Sequence, residues 1–133
     1  MALRSARIAL SLTCCRRGRV RPTTHTASDL NHNDIDDLSE FGLLKNLEYL
    51  SVAANRIDDI SSLASATSLK ALNLSHNAIT DISTLAELGQ LQELDLSNND
   101  IRDIATLENL ALLEHLYLGG NRVDNLDALS GLH

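Results

Sequence analysis

The sequence predicts an α/β solenoid: a right-handed arc of about five coils, with a parallel sheet on the concave face and short helical or 3-10 segments on the convex face. Two observations carry this. Asn33, Asn55, Asn77, Asn99 and Asn121 recur every 22 residues without a slip, and each is followed two places later by Ile35, Ile57, Ile79, Ile101 or Val123. Between the asparagines, the runs Leu50-Ser51-Val52, Leu72-Asn73-Leu74, Leu94-Asp95-Leu96 and Leu116-Tyr117-Leu118 alternate apolar and polar, as a strand with one buried face does.

In a single frame the complete units begin at Leu44, Ala66, Leu88 and Leu110, and Ser28 to Phe41 holds the second half of an earlier unit. Seven positions per unit are apolar almost throughout; in the first complete unit they are Leu44, Leu47, Leu50, Val52, Ile57, Ile60 and Leu63. Stacked coils turn these positions into columns, so each coil buries its neighbour's face and none can bury its own. The asparagines are structural on this reading. After each strand the chain turns sharply, and a carboxamide both donates to and accepts from backbone groups left inside the turn. Asp37, Asp59, Asp81 and Asp103, with Asn125 in the same column, stand just before Leu38, Ile60, Ile82, Ile104 and Leu126, and are read as caps of the convex segments. A calcium site is the alternative for these acids, but the spacing lacks the EF-hand pattern.

These units resemble the leucine-rich repeat family, with its pattern L-x-x-L-x-L-x-x-N-x-I, from Ser28 to the end of the chain. Length 22 and the Asp-Ile-x-x-Leu close are similar to the SDS22-like subclass, also seen in internalins. The resemblance implies a protein-binding adaptor, such as a regulatory subunit of a protein phosphatase or a part of a ciliary or cytoskeletal assembly. Two features depart from that subclass. The repeats are fewer than in the longer phosphatase regulators, and the chain stops at Ser130-Gly131-Leu132-His133 as another unit begins, leaving the last coil without a polar cap. The second expectation is therefore structural: a fragment of a longer array, or a protomer whose bare end stacks on another copy.

Charge divides the chain. Residues 1–27 hold Arg4, Arg7, Arg16, Arg17, Arg19 and Arg21 and no acid, whereas residues 28–133 hold five Lys or Arg and all 18 Asp or Glu, a formal charge of −13 beneath the overall −7. Residues 1–27 are thus a basic leader and residues 28–133 the repeat domain. Three readings of the leader stand: an unstructured basic tail or a start placed too far upstream, a mitochondrial transit peptide, and a secretory signal, the last opposed by Arg16-Arg17 directly after a short apolar run. Cys14 and Cys15 are adjacent and outside the repeats, so they form neither a disulfide framework nor a metal motif. The default compartment is the cytoplasm, with mitochondria the alternative if the leader is a transit peptide.

Partner binding is expected where strand side chains point away from the core. Candidate residues are Glu48, Tyr49, Ser51, Asn73, His76, Glu93, Asp95, Asn98, Glu114, His115 and Tyr117. Tyrosine is an anchor that interfaces favour, and both tyrosines of the chain fall in this set. Small residues Ala53, Ala54, Gly119 and Gly120 are expected at the rim, where a partner's backbone approaches. The lining is acidic, which favours a protein with a basic patch and repels nucleic acid. No stretch is long enough to span a membrane.

Nothing in the sequence assembles a catalytic centre or calls for a cofactor. His32 and His76 share a column but lie two coils apart, roughly 10 Å at strand spacing, too far to share a zinc ion without further ligands. Phosphate-binding loops, nucleophile elbows and paired-carboxylate motifs are absent, and Gly119-Gly120 is a lone pair inside a repeat. The expectation is a binding module, neither an enzyme nor a metalloprotein.

Overall fold

Five three-residue strands and five short 3-10 helices alternate along the chain in a computed structural model that describes residues 27–132. They run β1 (Ala27–Asp29), η1 (Phe41–Leu43), β2 (Tyr49–Ser51), η2 (Ser61–Ser65), β3 (Ala71–Asn73), η3 (Ser83–Glu87), β4 (Glu93–Asp95), η4 (Ala105–Asn109), β5 (His115–Tyr117) and η5 (Asp127–Gly131). The leader's targeting readings and its two cysteines lie outside the described residues.

The strands form one parallel sheet in chain order, each step shifting by one 22-residue unit: Tyr49 pairs with Ala71, Ala71 with Glu93, and Glu93 with His115. β1 joins in the same register, with Ala27 opposite Tyr49. The ladder continues past the strands through bonds such as Leu74 N–H to Asp95 O at 2.8 Å and Leu96 N–H to Tyr117 O at 2.9 Å. The 3-10 helices stack in the same order on the opposite side, because five residues between apolar columns leave room for one tight turn and no more.

The core is a set of aliphatic columns. Leu50, Leu72 and Leu94 form one, Ile57, Ile79 and Ile101 another, all buried. Phe41 takes the column position held by Leu63, Leu85 and Leu107, and is fully buried in the first described coil. Behind it, Gly42 packs so closely on the next coil that an added Cβ would sit inside contact distance of the Ser62 carbonyl.

An asparagine ladder bridges coils as well as turns. Asn99 Nδ2 donates to Leu96 O of its own coil and to Leu74 O of the previous one, both at 3.0 Å, while its Oδ1 accepts the Ile79 N–H at 3.0 Å. Asn77 repeats the pattern with Val52, Leu74 and Ile57, and Asn121 with Leu96, Leu118 and Ile101. Asn55 does so with Leu30, Val52 and Ile35. Asn33 is exposed; its Nδ2 donates to the Leu30 and Asn31 carbonyls of its own coil, and its backbone N–H donates to Asn55 Oδ1 of the next at 3.1 Å.

The aspartate column caps the convex turns, but one residue earlier than a true cap. Ile60, Ile82 and Ile104 occupy the cap positions, and none can accept through its side chain. Asp59 Oδ1 instead accepts the Ser61 N–H at 2.8 Å, Asp81 that of Ser83 at 2.9 Å, and Asp103 that of Ala105 at 2.9 Å. The shift arises because the cap position must be apolar to fill a core column. Backbone and hydroxyl hydrogen bonds from Ser61 hold the Asp59 carboxyl below its ordinary pKa, and those from Ser83 do the same for Asp81.

One column escaped the sequence reading. His32, Ala54, His76 and Asn98 all have φ between 55° and 57°, with Gly120 at 75° in the same place, so each coil reverses through a left-handed residue just before its asparagine. The last described coil is the least covered. Leu116, Leu118, Val123 and Leu129 are partly buried, and Leu126 is 62% exposed although its column mates Ile60, Ile82 and Ile104 are buried.

Candidate functional site: the concave sheet face

Alternation along each strand sends the middle residue into the core and the two flanking residues onto the concave face. Two rows result. Tyr49, Ala71, Glu93 and His115 form the first, and Asp29, Ser51, Asn73, Asp95 and Tyr117 the second. Glu48, Lys70, Gln92 and Glu114 line the edge where the strands begin, while His76 and Asn98 lie at the opposite edge in the left-handed column.

Both tyrosines are 49% exposed. They stand on β2 and β5, three strand spacings or about 14 Å apart across the sheet. Seven of the face's residues meet in an open depression of about 530 Å³: Tyr49, Ser51, Ala71, Asn73, Glu93 and Asp95, joined by Asp29. Glu48, His76, Asn98, Glu114, His115 and Tyr117 lie outside it. Asp29 was missed by the sequence reading, although its place 22 residues before Ser51 marks it.

The polar row is pinned from below. Asn73 Oδ1 accepts the Ser75 N–H at 3.0 Å and the Ser75 hydroxyl at 2.7 Å, and Asp95 Oδ1 accepts the Ser97 N–H at 2.9 Å. Each acceptor thereby holds its side chain to the next turn. The same turn draws the following column inward: Ala53 and Ser75 are buried, so Ala53 is not the rim residue that the alternation predicts. Ala54 is half-buried, whereas Gly119 and Gly120 are exposed in the last described coil.

Electrostatically the face is one-sided. Its one lysine, Lys70, reaches back to Glu48 at 3.1 Å and leaves Glu93 and Asp95 unmatched by it. Three arginines pair off the concave rows: Arg56 with Asp34 at 3.1 Å, Arg102 with Asp124 at 3.8 Å and Arg122 with Asp100 at 3.2 Å. At the far edge, Asn98 Nδ2 lies 3.2 Å from His76 Nε2, which ties the two coils together there. Among the described residues no group of three or more His, Cys, Asp or Glu side chains converges on a metal-sized site, and no helix is long and apolar enough to cross a membrane.

A parallel sheet of strands repeating every 22 residues, backed by 3-10 turns and laced by an asparagine ladder, defines a leucine-rich repeat protein. The chain belongs to that family: the leucine rich repeat pattern matches residues 45–101, and a two-copy leucine rich repeat pattern matches residues 89–131. Among solved structures it is similar to an internalin, inlF, from Listeria monocytogenes, with 36% identity and a TM-score of 0.77 over 81% of this chain and 33% of that one. Internalin C2 of the same organism is 32% identical, with a TM-score of 0.80 over 81% of this chain and 48% of its own. A leucine-rich repeat protein of Leptospira interrogans is 30% identical, with a TM-score of 0.74 over 81% and 30%. The chain spans less than half the length of each of these structures. The comparison with curated proteins gave no match. The fold is one that serves as a scaffold for protein interaction.

Proposed function

We propose that this chain is an adaptor that captures a protein partner presenting a basic patch, using the concave face and the two tyrosines as anchors. The observation that carries the reading is Tyr49 and Tyr117, half exposed on a sheet face whose carboxylates outnumber its single, already paired lysine. Half-buried phenol rings supply contact area at little rotamer cost, and unmatched carboxylates steer a cationic partner toward them. The proposed role is recognition, the use for which this fold serves as a scaffold. A regulatory subunit of the SDS22-like kind, working in the cytoplasm, is the finer form of the proposal; it draws on the 22-residue unit. Affinity capture with the full chain beside a Tyr49→Ala, Tyr117→Ala double variant tests it. A partner retained by the wild type and lost by the variant, with thermal stability unchanged, supports the adaptor; equal retention by both rejects the concave face.

A second reading rests on the last described coil. Its half-covered Leu116, Leu118, Val123 and Leu129, with Leu126 62% exposed, offer a surface on which a further coil, of a longer array or of a second copy, would stack. Sedimentation velocity over a range of concentrations distinguishes the two: self-stacking gives a size that grows with concentration and is abolished by Leu126→Glu.

A further inference from the structure

We propose that the depression between β2 and β4 is a slot for an arginine side chain of the partner, an inference that rests on the adaptor reading and narrows it to one chemistry. The slot is set by a size pattern in the first concave row. Tyr49 and Glu93 stand two strand spacings apart, about 10 Å, and the residue between them is Ala71, whose methyl group leaves the space above it open. One wall is therefore an aromatic side chain and the other a carboxylate. Asp95 and Asp29 add two more carboxylates in the second row, each using one oxygen to hold its own turn: Asp95 Oδ1 for Ser97 N–H at 2.9 Å, and Asp29 Oδ1 for Asn31 N–H at 3.3 Å. Their other oxygens are free of those bonds. Among the described residues no lysine, arginine or histidine lines the depression, and Lys70, the nearest candidate in sequence, is turned to Glu48.

A planar cation fits these walls better than a spherical one. A guanidinium stacks its face on a phenol ring while its edge gives two parallel N–H bonds to a carboxylate; an ammonium can do only one of these at a time. The slot thus selects arginine over lysine, and an uncharged isostere such as citrulline keeps the shape but loses the charge that matches three carboxylates.

The test is titration of an arginine-containing decapeptide, and of its lysine and citrulline counterparts, into the full chain at 0.1 M salt. A parallel chain with Arg4, Arg7, Arg16, Arg17, Arg19 and Arg21 replaced by Gln excludes competition from the leader. The expected result is arginine binding at least about 5-fold tighter than lysine, no binding of citrulline, and a further loss of about 5-fold or more in Tyr49→Ala, matching the strength of a cation–π contact. Ala71→Phe fills the slot without changing any charge, and is expected to block the arginine peptide while the melting temperature holds. If arginine and lysine bind alike and Ala71→Phe has no effect, the slot is wrong while the acidic concave face survives. If no peptide binds either chain, or if Glu93→Gln with Asp95→Asn leaves binding intact, the acidic-face reading falls with it.

Discussion

Single residues carry unusual weight here because each is multiplied by stacking. Asn99 satisfies a carbonyl in each of two coils and, in the earlier of them, the Ile79 N–H, all away from water. Asn99→Ala would leave those groups unpaired, and urea unfolding should show a loss of about 1–3 kcal/mol. Ala54 poses the opposite case. It sits at φ 55°, where an L side chain costs about 1–2 kcal/mol and glycine does not. Against glycine's entropic penalty of about 0.5–1 kcal/mol, Ala54→Gly should raise stability, by up to about 1 kcal/mol, read as an upward shift in the urea midpoint. The equivalent exchange in reverse, Gly120→Ala, drives a Cβ onto Asn98 and should destabilise. The sequence hid this column because only one of its five members is a glycine. His32, Ala54, His76 and Asn98 share no one residue type that would mark a left-handed turn, although His and Asn both tolerate it, whereas the asparagine beside them, repeating without exception, announced its role at once.

At the scale of the element, the convex turns are short because each is hemmed in by a column on either side. Gly42 shows how tightly: Gly42→Ala should cost about 1–3 kcal/mol by overpacking η1 against η2, measurable by calorimetry. The aspartates beside the turns make a pH signature. Asp59 and Asp81 have folded pKa values depressed by serine N–H and hydroxyl bonds, so their contribution is complete above the unfolded carboxylate range near about 4 and is lost as pH falls through the depressed folded value. A double Asp59→Ala, Asp81→Ala variant should therefore melt earlier than the wild type at pH 7, with the difference closing toward pH 2. Strand, turn and cap were all legible as columns, since periodicity survives any local detail. What the columns could not show was the single-residue offset of the aspartates, or that Ala53 and Ser75 turn inward under the bonds of Asn31 and Asn73. Those depend on how the backbone leaves the strand, which period alone does not encode. The same limit applied to the site: the concave rows followed from alternation, but the grouping of Tyr49, Glu93 and Asp95 around a gap needed the register that sets Ala71 between them.

The whole molecule behaves as a stack in which neighbours determine cost. Leu94, with coils on both sides and fully buried, should lose about 2–5 kcal/mol on truncation to alanine. Leu116, the same column one coil later and only partly buried, should lose distinctly less, and the pair compared by urea denaturation would reveal the gradient. Hydrogen exchange should likewise release the amides around Leu118 and Val123 before those around Leu74 and Ile79. Charge also acts at this scale, because a repeat domain rich in carboxylates repels itself, and added salt should stabilise the fold while weakening capture of a basic partner.

Asn55, Asn77, Asn99 and Asn121 each spend their bonds on the coil before and the turn beside them. The joints of the molecule are thus interchangeable. Excising residues 72–93 would set Asn99 where Asn77 now stands, facing Val52 and Ile57 with the same donors and acceptor, and the seam would close on matching columns. A cut of any other length would strand every joint beyond it. Length can therefore be altered only in whole repeats, and the binding face lengthens or shortens by one strand each time without a new core having to be invented.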